Sequence, residues 1–156
     1  MSKVLVFLAA GFEEIEAVTI IDILRRGSVT VVVASISNSK MVKGAHGIEI
    51  SADCLASEVT SDSELDTFDM VVLPGGLPGS TNLKASVLVR KALQNHKKQS
   101  KWIAAICAAP MVLCDQEIVK GKNITHYPGA VVNLGGALFV DKAVVVDGKI
   151  TTSRGV

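Results

Sequence analysis

The stretch Ala104-Ala105-Ile106-Cys107-Ala108-Ala109-Pro110 sets a thiol between an apolar run and a proline suited to the first turn of a helix. A cysteine on such a strand-to-helix turn resembles a nucleophile elbow with sulfur in place of a serine oxygen. The helix start and its unpaired N–H groups would favour a thiolate there, and small Ala108 and Ala109 leave room for a substrate. Three further stretches carry compatible chemistry. Gly11-Phe12-Glu13-Glu14-Ile15-Glu16 brings three carboxylates to a helix start, of which one is expected to turn inward. An enclosed carboxyl beside sulfur would have its pKa raised and could stay protonated to donate a hydrogen bond to it. Pro74-Gly75-Gly76-Leu77-Pro78-Gly79 is a turn whose backbone N–H groups, with the amide of Ala108, could form an oxyanion hole. No Gly-Lys-Ser/Thr follows and no GxGxxG is present, which argues against a nucleotide site. Thr125-His126 offers an imidazole for proton transfer.

Each residue also has an ordinary role. An average cysteine is a small hydrophobe, glutamates at a helix start are caps, and Gly-Gly is a tight turn. His46, in a hairpin, and His96, at a Lys-rich helix end, are expected at the surface. What separates Cys107 and His126 from these is position, because each follows an apolar strand-like run.

The elements that would hold these residues alternate. Val4 to Ala9 is a continuous apolar run suited to a strand covered on both faces, and Val18, Ile21 and Leu24 continue at helical spacing to Gly27. Val29 to Ile36 completes a βαβ unit with a right-handed crossover. Lys40 to Ile50 reads as a hairpin, Ala52 to Thr67 as a surface connection, Met70 to Leu73 as a strand and Ser86 to Lys98 as a helix. A further helix runs from Met111 toward Lys120-Gly121, Asn123 to Thr125 is a short strand, and Asp147-Gly148 turns a hairpin. This pattern predicts a single-domain, doubly wound, flavodoxin-like α/β sandwich with a mostly parallel sheet. Ligands bind outside the carboxyl ends of such strands, the edge on which the four stretches converge.

Composition sets the limits. The 156 residues are 49% hydrophobic with a formal net charge of +1, enough for one core and no reason to expect nucleic acid or a membrane as partner. Cys54, Cys107 and Cys114 match neither a zinc pattern nor CxxC, so free thiols are expected. No leader-like segment precedes Val4, and a cytoplasmic location is expected.

Taken together, Ala9 to Glu16, Val71 to Gly76, Ala104 to Pro110, Thr125-His126 and Thr152-Ser153-Arg154-Gly155 resemble the DJ-1/ThiJ/PfpI superfamily, in its DJ-1 branch, over nearly the whole chain. The resemblance implies that Cys107 is the reactive cysteine, Glu16 the protonated acid, His126 the neighbouring histidine, and Gly75, Gly76 and Ala108 the backbone donors. It also implies a homodimer without metal or organic cofactor and a small reactive carbonyl substrate. Activities implied are those of a glutathione-independent glyoxalase (glyoxalase III) or deglycase acting on 2-oxoaldehydes such as methylglyoxal, with a protective role in oxidative stress. The alternative is a redox sensor or chaperone working through oxidation of Cys107, and lesser ones are a cysteine peptidase and a ThiJ-type thiazole monophosphate biosynthesis protein. Two departures stand out: Tyr127 lies where relatives often have proline after the histidine, and the sequence stops at Val156, before the family's Pro-Gly-Thr and final helix. An uncovered apolar sheet face is expected from the second.

Overall fold

The computed structural model describes residues 1–156. In chain order the strands and helices are β1 (Lys3–Leu8), α1 (Glu14–Arg26), β2 (Thr30–Ser35), β3 (Met41–Lys43), β4 (Glu49–Ser51), β5 (Cys54–Leu55), α2 (Ala56–Val59), α3 (Asp62–Leu65) and β6 (Met70–Leu73). There follow α4 (Gly79–Ala85), α5 (Val87–Lys98), β7 (Trp102–Ile106), α6 (Pro110–Asp115), β8 (Asn123–Ile124), β9 (Leu138–Phe139), β10 (Val144–Asp147) and β11 (Ile150–Ser153).

Seven strands form one sheet in the order β10-β11-β7-β6-β1-β2-β5, with β10 alone antiparallel to its neighbour. The interior strand β1 pairs Val4 with Val31 of β2 on one side and with Met70 of β6 on the other. Such a strand meets no water on either edge or face, which is why Val4 to Leu8 reads as an unbroken apolar run. Alternate residues serve opposite cores. Leu5, Phe7, Val71, Leu73 and Ile103 belong to a cluster of 25 buried residues, whereas Val4, Val6, Leu8 and Val72 join Ala17 and Ile21 of α1 in one of 11.

The inequality of the two clusters is architectural. On the α1 side, Ile20, Ile23 and Leu24 border a groove of about 360 Å³ whose floor includes Val72, Ala104 and Val144 of the sheet. No helix is long and apolar enough to cross a membrane.

The predicted α/β sandwich and its parallel sheet are present, and Ser86 caps α5 by accepting from the Val89 N–H. Some local expectations change. α1 closes at Gly27 with φ −77°, and Ser28 (φ 59°) takes the left-handed position instead. The helix after the elbow ends at Asp115 rather than near Lys120, with Glu117 at φ 52°. The predicted strand before His126 shrinks to β8, which pairs with β9 outside the main sheet.

His96 is the clearest reversal: it is fully buried, not at the surface. Lys97 and Lys98 carry the solvated face of α5, while His96 turns inward, donates Nδ1–H to the Ala92 carbonyl at 3.1 Å and leaves Nε2 without a partner. Burial pushes its pKa down to about 4. The native state therefore refuses a proton that the unfolded chain accepts, and stability is lost as pH falls from 6.5 toward 4. Urea unfolding should show a loss of about 2 kcal/mol between neutrality and the acid end of that window from this residue. In His96→Leu the acid-side loss should be smaller by a similar amount.

Candidate active site

Cys107 follows β7 directly, and it is one of four non-glycine residues with positive φ, at 63°. Such a backbone is strained for a residue with a Cβ and persists where surrounding bonds dictate it. Here they do: the Cys107 N–H donates to the Ser153 carbonyl and its own carbonyl accepts from Tyr127 N–H, each at 2.9 Å. Neighbouring strand and loop thus hold the elbow from both sides, leaving the thiol half-buried.

Three elements converge on that sulfur. N–H groups of Gly76 and Ala108 donate toward it, and Glu16, from the first turn of α1, faces it. Glu16 is 2% exposed. Its Oε2 accepts from the Gly75 N–H at 2.9 Å, and Oε1 is buried without a conventional partner on the side facing Cys107 and Gly155. Gly75, expected as an oxyanion donor beside Gly76, therefore gives its N–H to the carboxyl, and the donors left to serve the sulfur are Gly76 and Ala108.

The electrostatics correct the expected easy thiolate. Burial pushes the Cys107 thiol up to about 11, and the charge and hydrogen bond of Glu16 push the same way, against the two amides. Helix α6 has only six residues and begins at Pro110, so its positive end lies beyond Ala108 and Ala109 and does not offset the desolvation. Burial likewise raises Glu16, with the hydrogen bonds to Cys107, Gly75 and Val156 pulling it back only in part. Both acids resist ionising because each would put charge into the same dry space.

His126 is 7% exposed, and its ring packs against Phe139 at a tilt of 43° with centroids 4.7 Å apart. Nδ1 lies 2.8 Å from the Tyr127 carbonyl, which can only accept, so Nδ1 carries the hydrogen and Nε2 keeps its lone pair. The loop is held near the elbow by the Tyr127 N–H and by Thr125 N–H donating to Thr152 Oγ1 at 2.9 Å. No hydrogen bond joins the imidazole to the thiol.

Of the three glutamates, two turn inward rather than one. Glu14 is 5% exposed and accepts from His46 N–H at 2.7 Å and from His46 Nδ1 at 2.9 Å, tying the β3–β4 hairpin to the start of α1. Burial would raise Glu14, but these hydrogen bonds outweigh it and hold the carboxyl below its usual range. His46 is exposed as expected, yet it anchors a buried acid; its small neighbours Ala45 and Gly47 gave no sign of that. Gly155 is the other unforeseen contributor: a Cβ there would lie 2.7 Å from both Cys107 Cβ and Glu16 Oε1. Its place after Ser153-Arg154, on the strand beside β7, is the signal that could have found it.

The DJ-1/PfpI family pattern matches residues 2–156, and the chain belongs to this family. It is 42% identical over 158 residues to Protein dj-1beta of Drosophila melanogaster, covering 99% of this chain and 82% of that protein. The crystal structure of Drosophila DJ-1beta superposes with a TM-score of 0.90 at 42% identity, over 99% of this chain and 83% of that one. A Caenorhabditis elegans protein named glutathione-independent glyoxalase DJR-1.2 is 34% identical over 144 residues, 92% of this chain and 74% of its own length. Protein DJ-1 homolog B of Arabidopsis thaliana is 41% identical over 155 residues, 98% of this chain, which spans 34% of that longer protein.

Space at Gly75 tests the architecture. A methyl group there would press on Glu16 Oε2 and lie 2.6 Å from Cys107 Cβ and 2.8 Å from the Ile106 carbonyl. Gly75→Ala should destabilise the fold by about 1–3 kcal/mol, the usual cost of overpacking. Urea unfolding followed by circular dichroism checks this, with the folded-state spectrum retained in the variant.

Proposed function

We propose that the chain is a cysteine-dependent enzyme that converts 2-oxoaldehydes such as methylglyoxal to 2-hydroxy acids without glutathione. The observation that carries this is the convergence of Glu16 and two backbone N–H donors on a sulfur held at a left-handed elbow. The name of the nematode relative, a glutathione-independent glyoxalase, supports the same reading.

In this scheme the sulfur attacks the aldehyde carbon while its proton passes to Glu16, which accepts it readily because its own pKa is raised. The N–H groups of Gly76 and Ala108, which face sulfur in the resting state, then face the new oxyanion. Protonation of that oxygen by Glu16 gives a hemithioacetal. His126 Nε2, which the Tyr127 carbonyl on Nδ1 leaves as the hydrogen-free nitrogen of the neutral ring, removes the proton from the former aldehyde carbon, and the resulting enediol is reprotonated at the adjacent carbon. The product is a 2-hydroxy thioester. Water cleaves its C–S bond, releasing the 2-hydroxy acid and the thiol, so the sum is substrate plus water.

Cys107→Ser should lower kcat/KM for methylglyoxal by 10³-fold or more, since a hydroxyl is far harder to ionise in the same dry site. Lactate formation measured without glutathione checks this, and a serine variant with full activity would refute the scheme. His126→Gln should lower kcat by about 10²–10⁴-fold with a smaller change in KM, as expected for loss of a positioned base.

A second reading, a redox sensor, rests on the same donors. Glu16, Gly76 and Ala108 surround the sulfur where oxygens added by peroxide would need hydrogen bonds. By contrast, Cys114 is buried in the core, and the Cys54 thiol faces the Val33 carbonyl, an acceptor with no hydrogen to offer added oxygens. Mild peroxide should then add two oxygens at Cys107 ahead of Cys54 and Cys114, which peptide mass spectrometry resolves. Sensor function without catalysis requires that product together with no turnover of methylglyoxal.

A further inference from the structure

Beside the elbow lies a second cleft, of about 300 Å³, lined by Tyr127, Pro128, Arg154, Gly155 and Val156. Two of its walls are also walls of the cysteine site. Tyr127 N–H donates to the Cys107 carbonyl at 2.9 Å, and a Cβ on Gly155 would fall 2.7 Å from Cys107 Cβ. Strand register brings in the third: Ser153 pairs with Ile106, so Arg154 is the residue of β11's continuation alongside Cys107.

The cleft's one cation is weakly engaged. Arg154 pairs with Asp141 at 3.6 Å, and those side chains are 47% and 79% exposed, a geometry that contributes little. A guanidinium offers a planar fork of donors matched to a carboxylate, and Tyr127 supplies a flat, half-exposed surface beside it. The groups facing the sulfur itself, namely Gly76, Ala108 and Glu16, bind an aldehyde oxygen and move a proton. They say nothing about the far end of the substrate, whereas this cleft does.

We propose that Arg154 and Tyr127 form a subsite for a carboxylate, so that the substrates preferred at Cys107 are small reactive carbonyl compounds ending in a carboxylate group. The proposal rests on Cys107 being the reacting group of the function proposed above. Arg154 is a binding residue here and takes no part in the bond changes.

Two alkylating agents of nearly equal size separate this from catalysis: iodoacetate, which carries a carboxylate, and iodoacetamide, which is neutral. Each forms a carbon–sulfur bond to Cys107 and releases iodide, and the ratio of their rates, divided by the same ratio for N-acetylcysteine, reads the anion preference of the site. In the native chain that normalised ratio should exceed one by about tenfold, the value of one charge-assisted hydrogen bond. It should fall about tenfold in Arg154→Gln, with iodoacetamide labelling retained, and only in part in Arg154→Lys, which keeps the charge but loses the fork. A ratio at the small-thiol value, or one unmoved in Arg154→Gln, overturns the subsite while leaving the glyoxalase reading intact. Cys107 inert to both reagents overturns both. Absent methylglyoxal turnover with a high, Arg154-dependent ratio keeps the subsite and removes the glyoxalase assignment.

Discussion

The site depends on one small enclosure in which a thiol and a carboxyl are pressed together out of water. The Gly75 N–H takes one oxygen of Glu16, and the other faces the sulfur, so neither group can ionise fully without charging a space that its partner also occupies. That mutual restraint makes the pair a proton store beside a nucleophile. In the proposed scheme covalent attack relieves it, because bonding carbon to sulfur removes one of the two competing sites for negative charge.

Such an enclosure requires the backbone to come close. Gly75 and Gly155 approach Cys107 and Glu16 from different strands at distances that leave no room for a methyl group. The strained φ of Cys107 belongs to the same construction, since the Ser153 carbonyl and Tyr127 N–H clamp the residue before and after its turn. Three neighbouring strand ends, from β6, β7 and β11, thereby supply the walls, and α1 delivers the acid. The parallel pairing of β6, β7 and β11 explains why these ends coincide, for the crossovers return these strands in the same direction.

The sheet is also dressed unequally. One face carries the larger core under α4, α5 and α6, and the other is covered by α1 along β1 and β2 and stays open toward β10. His126 reaches the elbow from outside the main sheet, through the loop after β8, with Phe139 against its ring. A backbone carbonyl fixes the tautomer of the imidazole, so Tyr127 acts on His126 through its main chain while it also lines the neighbouring cleft.

Much of this was legible in the sequence. Apolar runs such as Val4 to Leu8, helical spacing from Glu14 to Arg26 and the Ile106-Cys107 to Pro110 turn determine the strand-helix alternation and the elbow, because burial and backbone restriction act locally and leave periodic marks. What only the tertiary structure decided is which groups share an environment. His96 is buried where a Lys-rich helix end pointed to the surface, His46 anchors a buried acid from its exposed position, Glu14 joins Glu16 inside, the Gly75 amide goes to Glu16, and Cys107 is raised by burial where its place before a helix pointed to the reverse. Desolvation and hydrogen-bond pairing are properties of the assembled surroundings, supplied by residues distant along the chain, and no spacing within one segment encodes them.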